Sequence, residues 1–481
     1  MSDTSSIKKQ TRTAVYWDTF NKFSTQGLTI LFSVILARLL SPNEFGIIAL
    51  PLVFLAISQC LVDSGFSAAL IRKPELSEND LNTAFCFNVL IGIVCYLTLF
   101  FASPYIAEFY GVPILSKLLK VTALATIFTP LQSVHLAILS RQLNYRIPAI
   151  ISFVSCVLTG IVGIVLAYSG YGVWALVIQG VAGQILRLLM VWTMTSWRPR
   201  FIWSWDSFRY LFGFGSKVLS SGLIDVLYDN IYPVVIGKIY SMNDLGLYNR
   251  SIGYAKLPFS QINGMLDSIS FPVLSKIQDD DDRMKTTFLR FLRLNIFILC
   301  PVMLSMSALA YPLIVLLITD KWISCIPLFK VLCFPIVLWP IQTLCFTLLK
   351  VKSRSDLMLI LNIGIKVLGI IVLFFVVPYG IKYIGYAFVI HAVLSIPWIL
   401  YYVDRVTNVS AISIIKVILP SLLLGITMFF LEELTMLLVT SLSAKLTLGA
   451  LVGIAYYLLM AYVLKFPELK DVTYMLKINR S

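Results

Sequence analysis

Apolar stretches of about 20 residues, separated by short polar segments, recur along the whole sequence. An α-helix needs about 20 apolar residues to cross a hydrocarbon core of roughly 30 Å. Because 59% of the residues are hydrophobic and only 13% are charged, a soluble core could not bury this much apolar surface. The sequence therefore predicts an all-α polytopic membrane protein. We predict fourteen transmembrane helices, near residues 14–37, 47–70, 82–104, 116–139, 148–168, 172–196, 210–236, 245–274, 291–312, 326–349, 357–377, 383–403, 413–431 and 446–464.

Lysine and arginine are distributed unevenly between the two sides of the predicted bundle. With the N-terminus in the cytoplasm, the inner segments hold 24 of the 38 Lys and Arg, and the outer connections hold nine. This asymmetry follows the positive-inside rule and predicts that both termini are cytoplasmic. The net charge of +14 is then mainly a topology signal, so we expect no nucleic-acid partner.

Four pairs of similar segments indicate an internal repeat. Residues 37–46 (ARLLSPNEFG) are similar to residues 237–246 (GKIYSMNDLG), and three more pairs follow in the same order: 63–72 with 267–276, 130–139 with 340–349, and 174–179 with 386–391. The offset covers six spans, so both halves cross the membrane in the same sense, as in parallel transporter repeats. We predict two pseudo-symmetric six-helix lobes, 1–200 (spans 1–6) and 201–406 (spans 7–12). A terminal helix pair with a cytoplasmic tail, 407–481, follows.

The first two spans of each lobe carry polar and charged residues on one face. Charged groups inside a membrane cost roughly 2.5–3.5 kcal/mol each on insertion scales and rarely face lipid. We therefore predict a water-filled cavity between the lobes, rich in cations and suited to an anionic head group. The predicted substrate-binding cations are Lys22, Arg38, Lys217, Lys238, Arg250, Lys256 and Lys366. The acids predicted to couple an ion or to balance these charges are Asp18, Asp63, Asp225, Asp229 and Asp267.

Other polar features have simpler interpretations. Asp18 and Lys22 are also spaced as an ordinary i,i+4 ion pair. The acidic run 278–283 (QDDDDR) is typical of a solvated loop, and the only histidines, His135 and His391, show no metal-ligand spacing. We predict no metal site. Residues 196–210, rich in Trp, Arg and Phe, are predicted to be an amphipathic linker at the inner membrane interface.

Several phrases resemble the polysaccharide-transport, Wzx-type branch of the multidrug/oligosaccharidyl-lipid/polysaccharide exporter superfamily. They are ILARLLSPNEFG (35–46), DSGFSAALIRK (63–73), LQSVHLAILSRQLNYR (131–146) and SGYGVWALVIQG (169–180). The resemblance covers essentially the whole chain. It implies a flippase of the bacterial inner membrane that moves an undecaprenyl-pyrophosphate-linked oligosaccharide, such as an O-antigen unit of lipopolysaccharide, to the periplasmic leaflet by alternating access through a V-shaped cavity. It also implies polysaccharide polymerase and chain-length regulator partners. Arginines line the cavity in related peptidoglycan-precursor flippases, and the resemblance implies by position that Arg38 in "ILARLL" corresponds to one of them.

Two other functions compete with this interpretation. A multidrug or organic-cation antiporter of the same superfamily should have an acidic, aromatic cavity, whereas the deep charges here are mainly cations. A membrane enzyme that modifies polysaccharide should have a large outer loop or a catalytic acid/His group. The longest outer connection, about 431–446, carries no such group. We expect no cofactor and no ATP-binding segment, so an ion gradient (H⁺ or Na⁺), the membrane potential or product removal must supply the energy.

Overall fold

The computed structural model describes residues 2–407 and 409–469. Asn408 and residues 470–481 lie outside this range, and with them most of the predicted cytoplasmic tail. The chain forms two compact units, with the boundary between Gly246 and Leu247. The predicted lobe boundary at residue 200 was defined by the internal sequence repeat and not by contacts between residues. It therefore stays a prediction.

In the described residues, the first unit contains ten helices and the first residues of an eleventh. They are α1 (Ser2–Leu39), α2 (Pro42–Asp63), α3 (Phe66–Arg72), α4 (Glu78–Tyr110), α5 (Ile114–Thr122), α6 (Ala125–Phe128), α7 (Pro130–Arg141), α8 (Arg146–Tyr168), α9 (Val173–Met194) and α10 (Trp205–Ile239). Helix α10 packs against α2, α3 and α4, while α1 packs against α8. The first and seventh predicted spans are therefore both built into this unit.

The second unit contains most of α11 and the helices that follow it. They are α11 (Met242–Lys276), α12 (Asp281–Ala308), α13 (Ala310–Ile318), α14 (Ile326–Val351), α15 (Ser355–Val376), α16 (Ile381–Thr407), α17 (Ala411–Leu438) and α18 (Leu442–Val463). Two short 3₁₀ helices, Asp320–Cys325 and Val377–Tyr379, lie between them. The terminal helix α17 packs along α12 and α18.

The predicted all-α membrane fold is confirmed. No strand occurs in the described ranges, where eleven helical segments are long and apolar enough to cross a membrane by length and composition. The other three predicted spans lie in α1, α10 and α11, which are 38, 35 and 35 residues long. At 1.5 Å per residue these helices extend for about 50 Å or more. Their charged residues make these three helices less apolar than a typical membrane-spanning segment. The count of fourteen spans therefore stays a prediction.

The repeated phrase folds in the same way at both of its positions. Ser41 begins α2 with a capping box, in which its hydroxyl accepts from the Glu44 amide and the Glu44 carboxylate accepts from the Ser41 amide at 2.7 Å. Ser241 and Asp244 form the same reciprocal pair, and the Asp244 amide donates to the Ser241 hydroxyl at 3.1 Å. The recurring Ser and acid are thus helix-start signals that satisfy amides with no partner inside the helix.

The recurring glycine of that phrase brings its two copies into contact. A methyl group on Gly46 would overlap the Met242 carbonyl, and one on Gly246 would overlap the Pro42 carbonyl. Each copy therefore packs its glycine on the backbone of the other, and this close approach requires the absence of a Cβ atom at both positions. This reciprocal contact explains physically why the glycine recurs.

Three connections differ from their predictions. The acidic run 278–283 is a loop only up to Asp280, because α12 already begins at Asp281 and the Asp280 side chain caps it by accepting from the Arg283 amide at 3.0 Å. The outer connection predicted at 431–446 is shorter, because α17 continues to Leu438 and α18 begins at Leu442. Glu432 and Glu433 are helical and have partners on other helices: Ser305 donates to Glu432, and Lys330 pairs with Glu433.

The linker predicted at 196–210 is non-helical up to Ser204 and is held against the start of α4. The Arg200 amide donates to Asn82 Oδ1 at 2.7 Å, and the Ser204 amide donates to Thr83 Oγ1 at 3.1 Å. Trp197 Nε1 donates to Glu78 at 3.2 Å. Polar groups at the start of α4 thus replace the hydrogen bonds that a helix would have supplied to this segment.

Candidate functional site

Three of the predicted cations of the first unit lie near helix ends or on exposed surface. Lys22 pairs with Asp18 at 2.7 Å, and both side chains are partly exposed. The i,i+4 pair considered from the sequence is therefore formed. Arg38 is exposed in the last turn of α1. Lys238 is tied to the end of α4, because its ammonium donates to the Phe109 carbonyl and lies 4.0 Å from the centre of the Phe109 ring.

Helix α10 carries an exposed charged face. Lys217, Asp225 and Asp229 are all exposed, one to two turns apart. A hydrocarbon surface would penalise three exposed charges by several kcal/mol in total. This face of α10 therefore requires water beside it, which is the property expected of a helix that lines a polar cavity.

Two acids of the first unit lie around Cys60, where α2 meets α10. The Asp63 carboxylate accepts from Ser67 at 2.6 Å, and both Asp63 and Asp225 lie near enough to Cys60 to act on its thiol electrostatically. A methyl group on Gly222 would lie 3.5 Å from the Cys60 sulfur, so α10 approaches α2 closely here. The charged face thus contains acids as well as a lysine, which is suitable both for balancing charge and for taking up a cation.

The predicted cations of the second unit are half-buried and lie next to aromatic rings. The Lys256 ammonium lies 5.4 Å from the Trp339 ring centre, and the Arg250 guanidinium lies 5.8 Å from that of Tyr254. Lys366 is half-buried on α15. Cation–π contacts of this kind attract the charged group to the face of the ring and hold it in place without removing its charge.

Asp267 belongs to a network of polar side chains from three helices of the second unit. Asn263 donates to Asp267 at 2.7 Å and accepts from Thr343 at 3.0 Å and from Asn295 at 3.3 Å. Asn295 is fully buried on α12, and Lys350 also attracts Asp267. The sequence predicted Asp267 but missed Asn295, Thr343 and Trp339, because these residues are isolated in apolar spans and have no periodic signal of their own.

Comparisons with known proteins identify the family and the fold of the chain. The family described as "Polysaccharide biosynthesis protein" matches residues 35–327, more than half of the chain. The chain is 25% identical to the teichuronic acid biosynthesis protein TuaB of Bacillus subtilis (strain 168), over 97% of this chain and 98% of that protein. It is also 25% identical to the lipopolysaccharide biosynthesis protein WzxC of Escherichia coli (strain K12), over 74% and 73% of the two chains.

Solved structures with the same fold are membrane transporters. The lipid II flippase MurJ in an inward closed conformation superimposes with a TM-score of 0.76 at 17% identity, over 94% of this chain and 98% of that one. A multidrug resistance MATE family transporter of the MOP superfamily in an inward-facing conformation gives a TM-score of 0.61 at 15% identity, over 80% and 96%. The chain therefore belongs to the polysaccharide biosynthesis protein family, and it is a multi-pass membrane protein with the fold of the MOP-superfamily flippases and transporters.

Proposed function

We propose that this protein is a flippase that translocates an undecaprenyl-pyrophosphate-linked oligosaccharide from the cytoplasmic to the periplasmic leaflet of the bacterial inner membrane. Its product would feed surface polysaccharide biosynthesis. Both termini are cytoplasmic in this proposal, in keeping with the excess of Lys and Arg in the inner segments. Membership of the family supports the transport of a polysaccharide intermediate.

The observation that carries the proposal is the exposed charged face of α10. Lys217 is exposed within a helix that packs against α2, α3 and α4, which form two candidate membrane spans of the first unit. A sugar–pyrophosphate head group cannot cross roughly 30 Å of hydrocarbon unaided. An ammonium group beside water can replace part of the hydration of the pyrophosphate oxygens, and these oxygens form strong, charge-assisted hydrogen bonds with cations.

The half-buried cations of the second unit are proposed to act on the same head group. Lys256 is held beside Trp339, and the ring of Trp339 also contacts Phe259 at 5.1 Å between ring centres. An ammonium beside an aromatic surface offers a phosphate contact and an apolar surface for a sugar ring. Arg38, Lys22, Lys238, Arg250 and Lys366 complete the proposed set of head-group cations.

Alternating access by the two predicted lobes, 1–200 and 201–406, is the proposed mechanism. The polyprenyl tail stays in lipid while the lobes rock about the bound head group. The proposed roles of Asp18, Asp63, Asp225, Asp229 and Asp267 are charge balance or coupling to H⁺ or Na⁺. A polysaccharide polymerase and a chain-length regulator are the proposed partners.

Leaflet transfer in reconstituted vesicles tests this function. The purified protein is incorporated into liposomes with a fluorescent undecaprenyl-pyrophosphate oligosaccharide, and a membrane-impermeant quencher reports the fraction in the outer leaflet. Lys217→Ala and Lys256→Ala should each slow transfer about tenfold or more, because a hydrogen bond to a charged group contributes about 1.5–3 kcal/mol. Lys416→Ala, at an exposed lysine of α17, is the matched control and should transfer like the unmodified protein.

Normal transfer by both variants would contradict the proposal. So would transfer in protein-free vesicles at the same rate as in vesicles that contain the unmodified protein. Strong efflux of organic cations, with no movement of the lipid-linked sugar, would instead identify an antiporter. Amounts of inserted protein must match between variants before rates are compared.

A further inference from the structure

A carboxyl group is buried among three helices of the second unit. Glu432 of α17 has no exposed surface, and its Oε1 accepts a hydrogen bond from Ser305 Oγ of α12 at 2.6 Å. A methyl group on Gly453 of α18 would overlap this same carboxyl oxygen. The carboxyl group therefore fills the space that the missing side chain of Gly453 leaves between α17 and α18.

No cation neutralises this carboxyl group in the part of the chain that the structure describes. Lys330 of α14 pairs with the adjacent Glu433 at 2.7 Å. Oε2 of Glu432 is buried and has no hydrogen-bond partner among the described residues. Among the described residues, no hydrogen-bond donor would therefore stabilise a negative charge on Oε2 of Glu432.

The other titratable groups around α17 supply no compensating charge. On α12, the Cys300 thiol donates to the Ser421 carbonyl at 3.4 Å. On α18, the Tyr457 hydroxyl donates to the Phe297 carbonyl and the Tyr456 hydroxyl to Thr427. The titratable groups near the start of α16, which also packs against α17, are exposed: Lys382, Tyr383 and Tyr386. Among the described residues, Glu433 is the charged neighbour that acts on Glu432, and it repels a second negative charge.

Burial without a counter-charge leaves two ways to neutralise the carboxylate: a proton or a metal cation. A metal cation needs several oxygen ligands, and hard cations commonly take six or more. No group of three or more His, Cys, Asp or Glu side chains in the described residues could hold a metal ion, and next to the Ser305 hydroxyl lies the thioether of Met428, 4.0 Å from Ser305 Oγ. An unpaired carboxylate in such a place would cost many kcal/mol, so the group takes up a proton instead.

We propose that Glu432 is a proton-binding site that fastens the terminal helix pair, α17 and α18, to α12. The proton resides on Oε2 while Oε1 accepts from Ser305. Release requires that the carboxyl group reach water, which means that α18 must move away from Glu432 at Gly453. Proton release and separation of these helices are therefore one event, in which Glu–COOH becomes Glu–COO⁻ and the proton passes to water. This inference goes beyond the proposed function and does not depend on the substrate.

Infrared spectroscopy of the reconstituted protein tests the protonation directly. Unmodified protein should show a protonated-carboxyl band at about pH 7, well above the ordinary range of glutamate. Glu432→Gln should remove that band, and the control Glu433→Gln should retain it. Glu433 is the appropriate control because it lies next in sequence, is partly exposed and has an ion-pair partner. A band unchanged by Glu432→Gln, or absent from the unmodified protein, overturns the proposal.

Thermal unfolding in detergent between about pH 5 and about pH 9 provides a second test. A carboxyl group that is protonated in the folded protein loses its proton more easily once the protein unfolds. Rising pH therefore favours unfolding. The unfolding midpoint of the unmodified protein should therefore fall with pH relative to that of Glu432→Gln, which stays neutral. Parallel pH profiles for the two proteins would overturn the proposal. Should Glu432→Gln fail to fold, the infrared pH titration of the unmodified protein still decides whether the band persists.

Discussion

At the scale of single residues, two carboxyl groups with no exposed surface have opposite surroundings. Asp80 accepts from Lys73 at 2.7 Å, from the Ser77 amide at 2.9 Å and from the Ser77 hydroxyl at 2.8 Å. Glu432 accepts from one serine hydroxyl. A buried charge is tolerated where it is paired and hydrogen-bonded, and is avoided elsewhere by protonation. The same residue class thus serves as an ion-pair partner at one end of the chain and as a neutral acid at the other.

The same chemical change at these two positions should therefore have different effects. Asp80→Asn removes the charge that Lys73 requires and should lower stability by about 1.5–3 kcal/mol, the usual contribution of a hydrogen bond to a charged group. Glu432→Gln keeps both shape and neutrality and should leave stability at about pH 7 nearly unchanged. Thermal unfolding of both variants in the same detergent measures the difference. Equal losses at the two positions would mean that both carboxylates are ionised in the folded protein.

Single-helix patterns predict which side chains are polar but not which ones meet. Lys256, Asn263 and Asp267 were visible in the sequence because they recur on one face of α11. Their partners Trp339, Thr343 and Asn295 belong to other helices. Such contacts depend on the rotation and depth of each helix, which hydrophobic periodicity does not determine. The charged and polar side chains of α11 could therefore be picked out from the sequence, whereas the network that positions them could not, and their role as a binding site stays a prediction.

At the scale of helices, the recurring phrase combines a helix-start signal with a close backbone contact. The capping boxes could be read from Ser41 and Glu44 and from Ser241 and Asp244 by their spacing alone. The reciprocal packing of Gly46 and Gly246 could not, because it joins segments 200 positions apart. Helix limits were likewise predictable where apolar stretches end at polar residues. The predicted end of the helix was wrong at α17, which continues through Glu432 and Glu433. Ser305 and Lys330 supply the partners of these two carboxylates.

Substitution of the recurring glycine tests this contact. Gly246→Ala places a methyl group on the Pro42 carbonyl, a backbone atom that cannot rotate away. Overpacking typically costs about 1–3 kcal/mol, so the unfolding midpoint should fall. Gly253→Ala, in the same helix, has no neighbour within 4 Å and should raise stability by up to about 1 kcal/mol through helix propensity. Two variants of α11 that respond alike would rule out the glycine contact.

At the scale of the whole molecule, the assignment of the Lys- and Arg-rich segments to the inner side depends on the number of membrane crossings. The inner segments that carry the basic residues are inner only if α1, α10 and α11 all cross the membrane. These are the three helices whose charges lower their apolar character, so composition alone favours eleven crossings. Length favours fourteen, since each helix extends for about 50 Å or more, which exceeds a hydrocarbon core of roughly 30 Å.

Cysteine labelling on both sides of α10 decides between these counts. Phe201, before α10, and Asn243, after it, are both exposed. If α10 crosses the membrane, a membrane-impermeant maleimide added to intact cells should label Asn243→Cys from the periplasm but label Phe201→Cys only after the cells are opened. The unmodified chain is the background control, because its eight cysteines are buried or half-buried. Labelling of both positions from one side would mean that α10 does not cross, and the proposed role of Lys217 in a cavity within the membrane would then have to be abandoned together with the fourteen-span topology.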